Sequence, residues 1–191
     1  MEALEAVLTR QSVPPTFLKA PGPDDAALER ILAAGACAPD HGRLRPWRFI
    51  VIRGQARERL GEVFVEALAR RQPDAPETAI EQERTRPLRA PLLIAVAARV
   101  APQHPKIPEI EQILSAAAAA QNILIAAHAE GFGAKWLTGA NAYDDHVKGA
   151  LGLAPDDRLL GFIHVGTIDG APPAVPHADA REHTIEWQCP A

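Results

Sequence analysis

Two places in this chain carry side chains whose types and spacing could do chemistry. Near the N-terminus, Arg10 and Ser12 stand two residues apart in Arg10-Gln11-Ser12, just ahead of Val13-Pro14-Pro15. At a helix exit such a pair can hold a phosphate, because a guanidinium bonds two of its oxygens and a hydroxyl adds a third contact. The same residues also suit a plain solvated helix end. The second place is Cys37-Ala38-Pro39-Asp40-His41, in a loop that runs on to Pro46-Trp47. A thiol near an imidazole invites a nucleophile and base, yet Pro39 breaks the helical spacing between them and no orienting third group is visible. A thiol enzyme using Cys37 is therefore a minor reading. Trp47 is by default a core aromatic, and in this loop it would also suit the wall of a planar ligand.

Other chemistries are absent from the sequence. There is no Cys-x-x-Cys pair to hold zinc, and Gly131-Phe132-Gly133 does not complete a dinucleotide fingerprint. A length of 191 residues with 47% hydrophobic content predicts one domain, residues 1–191, with a full core. The net charge of -4, with both signs spread along the chain, argues against nucleic acid and anionic membranes as partners. Cys37 and Cys189 lie far apart and no secretory signal opens the chain, so reduced thiols and a cytoplasmic location are expected.

The elements that must position these residues follow from periodicity. Leu4, Val7 and Leu8 predict a short amphipathic helix over Glu2 to Thr9. Asp24 or Asp25 caps a second helix that ends by Pro39, and Arg48 to Ile52 reads as a strand. Ala56 to Arg71 is a charged amphipathic helix, and Glu77 to Arg86 reads as an exposed, mobile segment. Ala90 to Val100 and Leu159 to Val165 are buried strands, with a shorter one over Ala134 to Leu137. Asn141 or Asp144 caps a short helix to Leu151, and Thr184 to Trp187 suits a late strand. Between these lies an uncharged run, Gln112 to Ala129, with Pro108 and Glu109 fitting its start. Ile113, Leu114, Ile123, Leu124 and Ile125 point in several directions, so this is a central helix surrounded by the rest. Its polar interruptions argue against a membrane span, and Ala116 to Ala120 suits either a tight crossing within the chain or a symmetric dimer seam.

Taken as a set, Arg10-Gln11-Ser12, Ala38-Pro39-Asp40-His41 with Pro46-Trp47, the alanine-rich helix ending in Glu130-Gly131-Phe132-Gly133-Ala134-Lys135-Trp136, and Leu160-Gly161-Phe162-Ile163-His164-Val165-Gly166-Thr167 resemble the nitroreductase family, in its short, minimal form. The resemblance runs from about Glu2 to Thr167. It implies an α+β fold with a mainly antiparallel sheet around a long central helix, in an intertwined homodimer that binds FMN at its interface. It implies that Arg10, Gln11 and Ser12 take the flavin phosphate and ribityl end. Gln11 stands where family members commonly carry a second arginine, one positive charge fewer beside a dianionic phosphate. Cys37 and His41 would reach the flavin of the other subunit, and Trp136, Leu137 and Thr138 would lie along the ring. Residues 171–191 would form a C-terminal extension on the partner. The implied activity takes hydride from NADH or NADPH onto the flavin and passes it to a nitroaromatic, quinone or similar small-molecule acceptor. With the chemistry at flavin N5, no catalytic side chain and no metal are needed. Non-nitro flavin chemistry on the same fold, or flavin binding with little turnover, are the alternatives.

Overall fold

The computed structural model describes residues 1–188. Its centre is an antiparallel sheet built on β5 (Arg158–Ile168). β3 (Leu92–Ala98) pairs along one side of β5, and β2 (Trp47–Arg53) pairs outside β3. On the other side of β5 lies β4 (Gly133–Leu137), and the two-residue β1 (Leu18–Lys19) pairs with β5 itself at its Thr167–Ile168 end. The expected α+β architecture with an antiparallel sheet is the one observed.

Every residue of β3 is buried, because both faces of the sheet are covered. Leu92, Ile94 and Val96 meet Ile163 and Val165 under α2 (Asp25–Ala36) and α5 (Glu109–Ala129). Leu93, Ala95 and Ala97 face Leu60, Phe64 and Ala67 of α3 (Gln55–Arg71) and Val147 of α6 (Asp145–Ala150). Asp24 caps α2 by accepting from the Ala27 N–H at 2.8 Å, and Asp144 caps α6, so each open choice between neighbouring residues is resolved.

The long helix α5 has 21 residues and spans about 31 Å at 1.5 Å per residue. Ala116, Ala119, Ala120, Ile123 and Ala127 are fully buried. The tight crossing lies within the chain: a Cβ on Gly35 of α2 would sit 2.8 Å from Ile123 and 3.0 Å from Phe49. The helix is not surrounded, however. Ile110 and Leu114 are each 59% exposed, and α1 (Ala3–Thr9), which lies on α5, leaves Leu4, Val7 and Leu8 exposed as well. Alanine conceals which face is covered, since its pattern fits either side of a helix.

Two further expectations change. The segment after α3 is docked rather than loose: α4 (Glu77–Thr85) packs so closely that a Cβ on Gly61 would lie 2.2 Å from the Arg84 carbonyl oxygen. Arg84 pairs with Glu62, and Asn141 donates to Glu83 at 2.6 Å. Thr184 to Trp187 forms no strand among the described residues, because an extended segment becomes a strand only against an open edge and this one meets none in its own chain. Trp187 stands 80% exposed.

Candidate functional site

The Arg10 end of the site is built where α1 stops. A capping box joins Glu2 and Glu5 at the start of α1, and the Arg10 backbone N–H closes its last turn on Ala6 O. The chain then crosses to the sheet, where the Val13 N–H donates to Ala134 O at 3.0 Å. This bond fixes Arg10-Gln11-Ser12 between the end of α5 and β4. The Thr9 hydroxyl lies 2.8 Å from His128 Nε2 on the last turn of α5. Burial, and then the Arg10 charge, hold His128 less basic than a free imidazole, against a smaller opposite pull from Glu5. Thr9, Arg10, Gln11, His128, Phe132 and Ala134 line a cleft of about 70 Å³. Arg10 itself forms no ion pair among the described residues. Gln11 differs: its side-chain oxygen accepts from the Val175 N–H at 3.2 Å, tying the tail to this corner.

β4 supplies the adjoining wall. Because Ala134 O points away from β5 to meet Val13, strand alternation turns the backbone N–H and C=O of Trp136 toward that same open edge. The Trp136 indole N–H is already committed, donating to Leu160 O at 2.9 Å. That bond needs a local distortion of β5, where the register with β3 shifts between Val96 and Ala97. Gly161 makes it possible, with φ of +132° and a notional Cβ only 2.4 Å from Leu137 O. Trp136 therefore offers a ligand its backbone edge rather than its indole N–H, with Leu137 half-buried and Thr138 exposed beside it.

The second region sits at the opposite end of α5. Cys37 is the exposed C-terminal cap residue of α2, and the loop after it is braced by Ser115 Oγ donating to Pro39 O at 2.8 Å. His41 Nδ1 lies 2.6 Å from Glu111 Oε2, an ion pair once the imidazole is protonated. Glu111 is thus an orienting group for His41 that the sequence did not reveal. No hydrogen bond joins Cys37 to His41 among the described residues, so the thiol–imidazole pair is not assembled. Nor does any cluster of three His, Cys, Asp or Glu residues there suit a metal ion.

The structure thus brings Arg10, Gln11 and Ser12 to β4, but leaves Cys37 and His41 apart from them. His128 and Glu111, which mark the two ends, are 17 positions apart on one helix, about 26 Å along its axis. Both of these α5 residues were missed, because each is linked to its site by a contact spanning 70 or more sequence positions.

The comparisons with known proteins bear on this geometry directly. The sequence model of the Nitroreductase family matches residues 7–167, well over half of the chain. The chain belongs to the nitroreductase family. Among nitroreductases it is 39% identical over 167 residues to the "Putative NAD(P)H nitroreductase YdjA" of Escherichia coli K12, covering 87% of this chain and 88% of that protein. The nitroreductase-like protein of Bacillus cereus shares the fold, with a TM-score of 0.82 at 21% identity over 98% of this chain and 96% of that one. A nitroreductase from Desulfovibrio desulfuricans, solved in complex with FMN, superposes with a TM-score of 0.71 at 25% identity, over 100% and 99% of the two chains. The nitroreductase match takes in Arg10 to Thr138 and stops at Thr167, so the tail that touches Gln11 lies beyond it.

Proposed function

We propose that this chain is an FMN-dependent NAD(P)H oxidoreductase that works as a homodimer and reduces a nitroaromatic, quinone or similar small acceptor in two successive half-reactions. The observation that carries this reading is an Arg10 guanidinium free of carboxylate partners among the described residues, beside the open backbone edge of β4. A flavin mononucleotide needs those two things together: a cation for its phosphate and fixed donors and acceptors for the polar edge of its ring. When bound, FMN supplies hydride acceptance and release at N5, chemistry that no side chain here provides. Arg10 and Ser12 would hold the phosphate, with Gln11 adding a neutral contact and Trp136, Leu137 and Thr138 lining the ring.

The unfinished state of the site supports the dimer. A cleft of about 70 Å³ holds little more than a water or two, far less than a flavin. Ile110, Leu114, Ala117, Gln121 and Ile125 form a stripe along α5 that nothing in the chain fully covers. Such a stripe is self-complementary under a two-fold axis. With two copies of α5 antiparallel, the Cys37–His41 loop of the partner subunit comes to the Arg10 end, and two equivalent sites form. The exposed tail from residue 171, with Ile185 92% exposed, would then dock on the partner.

An absorbance spectrum of the purified protein, before and after anaerobic NADPH and NADH, tests the function. Flavin bands that bleach are expected. Bands that persist would leave a flavin-binding protein without turnover, and a protein that stays colourless after added FMN would overturn the reading.

A further inference from the structure

A cavity of about 510 Å³ opens between the Pro15–Ala20 segment and the Leu88–Pro91 turn, sharing no lining residue with the clefts at either end of α5. Leu18, Leu88 and Pro91 give it apolar walls, and its charged lining residues are Lys19, Arg57 and Arg89. No acidic residue lines it. None of the three cations has an ion-pair partner among the described residues, in a chain whose net charge is -4.

Arg57 is the most exposed to conflict. Its guanidinium is pinned to the wall by one bond, Nη1 to Ala90 O at 2.8 Å, while its Nε is buried without an acceptor. It also lies in the first turn of α3, where the positive end of the helix dipole disfavours a cation. Glu58, the acid in that turn, is exposed and forms no ion pair among the described residues. Half-burying a cation beside two others, with no counter-charge, costs free energy that a bound anion would return. The field reaches inward too: burial first, and then the Arg89 charge, make the imidazole of His164 harder to protonate.

We propose that this cavity binds an organic phosphate, with the anionic group among Lys19, Arg57 and Arg89 and the apolar body against Leu18, Leu88 and Pro91. Three cations suit a dianionic group, and the cavity volume falls within the range of small-molecule sites. The site is independent of the flavin.

Isothermal titration of the protein as purified, with ADP and with inorganic pyrophosphate as probes and adenosine as the uncharged control, tests the proposal. Both anions are expected to bind and adenosine not to. Lys19→Glu and Arg89→Glu, both at exposed positions, should each weaken ADP by about tenfold or more, the loss of one charge-assisted contact. Flavin absorbance should stay at the wild-type level in both variants, which separates this cavity from the proposed flavin site. ADP binding that neither charge reversal changes, or no binding of either anion at millimolar concentration, would overturn the proposal.

Discussion

The two ends of α5 are built to opposite specifications. At its C-terminal end, Arg10 is a cation without an ion-pair partner among the described residues, His128 is held less basic beside it, and β4 leaves a strand edge open. At its N-terminal end, His41 already has its carboxylate in Glu111, and the loop before it is braced by Ser115. The first end lacks a counter-charge and a roof, whereas the second is satisfied and projects from the surface. The difference teaches what the proposed dimer requires: one end would receive the flavin and the other would cover it, so that a single chain would hold half of each site.

The largest effect expected in breaking this comparison comes from neither end. His164 on β5 is buried with no well-formed hydrogen bond to either ring nitrogen among the described residues, and burial lowers its pKa to about 4 against smaller opposite pulls from the Arg86 and Phe162 backbones. The native state therefore binds fewer protons than the unfolded state between pH 6.5 and 4. Stability should be fully present above about 6.5 and decline by about 3 kcal/mol as pH falls to 4, at 1.36 kcal/mol per unit. Urea unfolding at several pH values should show this slope, and His164→Leu should flatten it.

Next in size is Arg10→Ala, which should weaken FMN binding by about 1.5 to 3 kcal/mol through loss of a charge-assisted phosphate contact. Equilibrium dialysis of FMN reads this directly, and unchanged retention would remove Arg10 from the site. At the covering end, His41→Ala should cost less, about 1 kcal/mol of FMN affinity, because a cover adds packing and one neutral hydrogen bond. An effect of His41→Ala larger than that of Arg10→Ala would invert the assignment of the two ends. Smallest is Cys37→Ala, expected within about 0.5 kcal/mol in both FMN affinity and NADPH oxidation. Abolished activity would restore the thiol as a participant.

Much of this was legible in the sequence, for reasons that can be named. β3 reads as a strand because both its faces are covered, giving an unbroken apolar run from Leu92 to Ala98. Arg10-Gln11-Ser12 was readable because its residues are adjacent in the chain. Glu111 and His128 were not, since each joins its partner only once α5 is packed. The committed indole of Trp136 was hidden for a similar reason, as it depends on the distortion of β5 at Gly161. Thr184 to Trp187 has strand-forming residues, but composition cannot supply the edge on which a strand would form.

The account rests on the claim that a second copy completes the site across the α5 stripe. Sedimentation velocity, followed at a flavin absorbance wavelength, tests it in wild type and in Leu114→Glu, a charge placed on a side chain that is 59% exposed. The wild type should sediment as a dimer carrying flavin, and Leu114→Glu as a folded monomer that has lost it. A monomer that keeps its full flavin content would contradict the claim.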